Sequence, residues 1–139
     1  LVEKGFAATR EEAFQKLIGE GCPGYVPLEL ITPFEAVRII REAGGAPTLA
    51  HPGLSGVDEA VPALAGTGLV GIEVEHPSQD DAVRARYRAI AARHGLLCMG
   101  GSDCHGARPG PERLGRFNQP WGLVEELLGR LGRKADWAS

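Results

Sequence analysis

Leu69-Val70-Gly71-Ile72-Glu73-Val74-Glu75 and Leu96-Leu97-Cys98-Met99-Gly100, joined by a helical pattern that ends near His94, are the stretch that decides the fold. In the first run Ile72 and Val74 share one side and Glu73 and Glu75 the other, the alternation of a strand with one buried face. Ser78 is the expected N-cap of the intervening helix, whose apolar stripe is Val83, Tyr87, Ile90 and Ala91. The second run is short and almost wholly apolar, as in a strand covered on both faces.

Working upstream, Ala46 to Ala50 reads as a short buried strand that delivers His51 at its carboxyl end. Residues 57–65 read as a weaker helix interrupted by Pro62. Thr32-Pro33-Phe34-Glu35 combines an N-cap, a proline at the first helical position and a glutamate at the third, the strongest helix start in the chain. Phe34, Val37, Ile40 and Ala43 mark the face this helix should bury, and Gly44-Gly45 stops it. Strand, helix, strand, helix, strand with crossovers of this length predicts an α/β fold with a parallel sheet of about three strands and flanking helices. Such sheets carry their sites at the carboxyl ends of the strands.

Two polar segments fall at those ends: Ala50-His51-Pro52-Gly53 and Gly100-Gly101-Ser102-Asp103-Cys104-His105-Gly106. In extended backbone Asp103 and His105 project to one side, and Ser102 and Cys104 to the other. The glycines let the backbone approach a bound ion or phosphate. Cys104 and Cys98 then read as packing residues, since no neighbouring base or cation marks either as a nucleophile.

The ends of the chain are plainer. Thr9-Arg10-Glu11-Glu12 is a capping box opening a short helix with Ala13, Phe14, Leu17 and Ile18 on its stripe. Cys22-Pro23-Gly24-Tyr25-Val26-Pro27 is turn chemistry leading into an extended linker. Prolines 109, 111 and 120 punctuate a loop in which Arg108 and Arg113 read as solvated charges, and a last helix runs from Trp121 to about Leu131. The opening on Leu1 without a methionine reads as entry into the tail of a helix, so a piece of a longer protein is expected.

Composition narrows the function classes. A net charge of -3 gives little electrostatic support for binding long nucleic acid. No run approaches the roughly 18 apolar residues of a membrane helix, and no signal-like start is present, so a cytoplasmic location is expected. Three cysteines in unrelated settings give neither a disulfide framework nor a paired zinc motif.

Taken jointly, Gly24-Tyr25-Val26-Pro27, Ala50-His51-Pro52-Gly53, Gly71-Ile72-Glu73-Val74 and Gly101-Ser102-Asp103-Cys104-His105 resemble the PHP (polymerase and histidinol phosphatase) metal-dependent phosphoesterases. The resemblance is strongest to the branch acting on nucleoside bisphosphates and RNA 5' ends. It implies the carboxyl-terminal part of a distorted seven-stranded TIM-like β/α barrel in residues 28–139, with residues 1–27 the end of a helical insertion and its linker. It also implies His51, Asp103 and His105 as metal ligands, with Glu73, Ser102 and His76 behind them or facing substrate.

The cofactors so implied are divalent manganese, zinc or iron, two or three in the complete site. The implied substrate is a small phosphorylated molecule or a short nucleic-acid end. No His-x-His pair occurs in this sequence, and three ligands are too few for such a cluster. No catalytic side chain is assigned, the chain alone is expected to be inactive, and it should self-associate or pair with a missing amino-terminal portion. The alternatives are a noncatalytic α/β fragment or interaction module, and within enzymes a metal-dependent amide hydrolase. The bland readings of the residues are a Pro-Gly turn histidine at 51, a turn aspartate at 103, an exposed imidazole at 105 and a plain loop residue at 76.

Overall fold

The computed structural model describes residues 1–28, 30–106 and 114–134, so Arg108, Arg113, Pro109 and Pro111 lie outside the described residues. The chain divides into two compact units, residues 1–31 and residues 32–139.

In the first unit the capping signal at Thr9 works as read. Its hydroxyl accepts the Glu12 N–H at 3.1 Å and opens helix α1, Arg10–Ala13. Glu12 reaches back one residue further than a capping box requires, accepting the Ala8 N–H at 2.7 Å. The expected continuous helix widens after Ala13 into a π-helical turn, Phe14–Ile18. Of the expected stripe only Ala13 is buried, while Phe14 and Ile18 are exposed.

The second unit carries the sheet. Strands β1 (Thr48–Leu49), β2 (Gly71–Glu75) and β3 (Leu97–Gly100) run parallel in that order, so the expected fold class holds. Ile72 and Val74 are fully buried, and the alternation read from the sequence is realised on β2. Helix α2, Pro33–Glu42, begins with a complete capping box: Glu35 N–H donates to the Thr32 hydroxyl and Thr32 N–H donates to the Glu35 carboxylate. Its expected buried face is mostly open, however, with Val37 buried but Phe34 44% and Ile40 41% exposed.

Between β1 and β2 the chain forms a single turn α3 (Pro52–Ser55), a 3-10 turn (Asp58–Ala60) and helix α4 (Val61–Thr67). Pro62 therefore starts a helix instead of interrupting one, because the first turn has no use for its missing N–H. Helix α5, Asp81–His94, is capped by Asp80, whose carboxylate accepts the Val83 N–H at 2.8 Å, and not by Ser78. Tyr87 and Ala91 on α5 pack with Ile72, Val74, Val61 and Leu64 in one core. Burying each large side chain contributes roughly 1.5–3 kcal/mol. Tyr87 satisfies its hydroxyl by donating to Asp58. Helix α6, Trp121–Arg130, packs on β3. Among the described residues no helix is long and apolar enough to cross a membrane.

Candidate metal centre

Three chain segments leave the carboxyl ends of the strands, and their side chains form a contiguous series. His51 follows β1, and its ring lies 5.3 Å from that of His76, which follows β2. His76 Nε2 is 3.6 Å from Asp103 Oδ2, and Asp103 Oδ1 is 3.1 Å from His105 Nε2, both beyond β3.

The backbone under two of these residues is strained. Among the described residues His51 (φ 26°) and Asp103 (φ 48°) are the non-glycine positions with positive φ. Such geometry costs on the order of 1–3 kcal/mol per residue and persists only where the surroundings enforce it. At His51 the enforcing group is Glu73, whose carboxylate accepts the His51 N–H at 2.8 Å across 22 residues of sequence. The left-handed turn at Asp103 also replaces the expected strand alternation. Asp103 and His105 do meet, but around a turn, and Cys104 is exposed and not packed.

A bulge adjusts the exit of β2. Glu73 pairs with Met99 and Glu75 with Gly100, so Val74 is the extra residue. Gln79, 2% exposed, braces this exit. Its amide donates to the carbonyls of Glu73 at 3.2 Å and Val74 at 2.7 Å, while its own carbonyl accepts the Gly53 N–H at 3.1 Å. Sequence reasoning missed Gln79; no local pattern distinguishes it from a surface glutamine ahead of a helix. Gly53 is required there, since a Cβ would come within 2.9 Å of both Gln79 and Val83.

His76 is buried, not a plain loop residue, and its carbonyl accepts from Arg84 at 3.2 Å. Arg84 and Arg88 pair with Glu75. Ser102 is half-buried. Burial pushes the Cys98 thiol above its ordinary range, with Arg88 opposing, so it stays protonated and unreactive.

The donor chemistry fits a borderline divalent ion. Among the described residues four buried side-chain nitrogens have no hydrogen-bond partner, and two of them, His51 Nδ1 and His76 Nε2, lie in this series. The donor count is incomplete: among the described residues no group of three or more His, Cys, Asp or Glu side chains is placed to hold one ion. His51, Asp103 and His105 are linked through His76 and do not close on a single point.

No family model matches the chain. It is 42% identical over 79 residues to a phosphoribosyl 1,2-cyclic phosphate 1,2-diphosphodiesterase of Eggerthella lenta, covering 57% of this chain and 30% of that protein. To the 5'-3' exoribonuclease Rnm of Salmonella typhimurium it is 36% identical over 121 residues, 84% of this chain and 41% of the relative. A solved structure from Bifidobacterium adolescentis, described as a metal-dependent phosphoesterase, superposes with a TM-score of 0.74 at 34% identity, covering 98% of this chain and 48% of that one. The chain is thus similar over most of its length to phosphoesterases of the PHP family. It spans less than half the length of each of these three proteins.

Proposed function

We propose that this chain contributes His51, Asp103 and His105 to a divalent-metal site that hydrolyses phosphoesters, acting on small phosphorylated molecules or short nucleic-acid ends. One observation carries the reading: among the described residues the strained non-glycine positions are His51 and Asp103, each just beyond the carboxyl end of a parallel strand. Strain costs stability, so its occurrence at the two best donor residues points to function. The names of the relatives, a cyclic-phosphate diesterase and an exoribonuclease, support the substrate class.

Imidazole with carboxylate suits manganese, zinc or iron. A bound ion of this kind neutralises phosphate charge and acidifies water. The chain's own residues do the positioning. Glu73 locks the His51 backbone, Gln79 fixes the exit of β2, and Asp103 presents a carboxylate whose second oxygen faces His105. The remaining donors of a two- or three-ion site come, in this reading, from an amino-terminal portion that pairs with this one.

A second reading has its own support. The absence of a closed three-donor group among the described residues favours a module that binds no ion by itself. Metal content and manganese-dependent hydrolysis of a nitrophenyl phosphate ester separate the two, measured on this chain and on a version extended upstream. Activity only in the extended version, lost in its His51→Ala and Asp103→Ala variants, is the expected outcome. An extended protein that is active without metal, or indifferent to both substitutions, overturns the proposal.

A further inference from the structure

We propose that His76 is a positioning residue held as its Nε2–H tautomer, which aims the Asp103 carboxylate and does not itself bind the ion; this rests on the metal-site reading above. The Ser78 N–H lies 3.1 Å from His76 Nδ1. A backbone amide only donates, so Nδ1 presents its lone pair, and the hydrogen of the neutral ring sits on Nε2. That nitrogen faces Asp103 Oδ2 at 3.6 Å, a small adjustment away from a direct hydrogen bond. A nitrogen carrying hydrogen has no lone pair for an ion, so the arrangement fits a donor to the carboxylate and not a ligand.

The ring has little freedom to do otherwise. His76 is 2% exposed, and its carbonyl is held by the Gln79 N–H at 3.1 Å and by Arg84 at 3.2 Å. With the His51 ring on one side and Asp103 on another, it ties the end of β1 to the turn beyond β3. Groups that orient a ligand in this way change metal affinity by roughly 10–100-fold when removed.

Long-range nitrogen–proton NMR on the whole chain labelled at histidine nitrogen tests the assignment. In metal-free protein His76 should show a protonated Nε2 and a bare Nδ1, and zinc should perturb the His51 and His105 nitrogens while leaving the His76 proton in place. His76→Phe should shift the Asp103 carboxyl carbon signal and weaken zinc binding by 10–100-fold, with His76→Gln, which keeps an N–H donor, recovering most of it. A protonated Nδ1 in metal-free protein, loss of the Nε2 proton on zinc addition, or undiminished zinc affinity in His76→Phe would each overturn the inference. Should His76→Phe fail to fold, the wild-type spectra and His76→Gln still decide. The zinc measurements use the version extended upstream, which carries the remaining donors; if that protein takes up no zinc the metal reading fails instead, and the metal-free tautomer still judges His76.

Discussion

His51 and Asp103 sit in a region of backbone space that β-carbons resist, and the two are held there differently. His51 is pinned from outside by the Glu73 carboxylate, whereas aspartate tolerates left-handed geometry comparatively well. Asparagine shares that tolerance, which makes Asp103→Asn a clean probe of charge. The substitution should leave the melting temperature within about a degree or two and reduce the zinc affinity of the version extended upstream by tenfold or more, read by calorimetric titration. A large loss of stability with unchanged affinity would mean that Asp103 serves the turn alone. The gathering of Asp103 and His105 beyond β3, with His51 beyond β1, was legible because residue types and order make a motif. The sign of φ was not, since alternation along a sequence says nothing about a single left-handed residue, and Asp103 and His105 meet for a different reason from the one the pattern offered.

At the scale of elements, local signals succeeded where the partners lie within one turn. Thr32 and Glu35 satisfy each other's amides three residues apart, and the cap formed as read. Thr32→Ala should cost about 1 kcal/mol in denaturant unfolding. Glu35 is held below its ordinary carboxylate range by the Thr32 N–H first and the Thr32 hydroxyl second. A depressed value means its contribution is complete above the ordinary range and is lost as pH falls through the lowered one. Thr32→Ala should therefore be most damaging near neutrality and less so in acid, where the lost bond from the Glu35 N–H to the Thr32 hydroxyl still separates it from wild type, as pH-dependent melts will record.

Ser78 misled because its amide is engaged by the His76 ring and the chain turns tightly over residues 76–79, so the helix waits for Asp80. Gln79 is the long-range counterpart. Gln79→Ala leaves the buried Val74 carbonyl and the Gly53 amide without their partner and should cost about 2 kcal/mol, measurable as a lower urea midpoint. If the midpoint is unchanged, the brace contributes nothing and the bulge at Val74 stands by itself.

Among the described residues the sheet of the second unit ends in β1 on one side and β3 on the other, and edge strands invite further pairing. Helix α2 adds exposed Phe34 and Ile40, whose helical spacing forecast burial, and exposed Ile39 beside them. Periodicity identifies which face is apolar; it does not say what will cover it. The expected consequence is self-association at concentrations on the order of tens of micromolar, visible in sedimentation velocity, and a sharp monomer boundary there would contradict it.

The hydrogen bond from His51 to Glu73 also dictates an order of events. Because those residues are separated by 22 positions and joined only once β1 lies beside β2, the contorted conformation at His51 cannot be present in the nascent or unfolded polypeptide. In the proposed metal reading an ion at His51 would thus arrive after strand alignment and not template it, so a chelator should leave the refolding rate of this segment untouched.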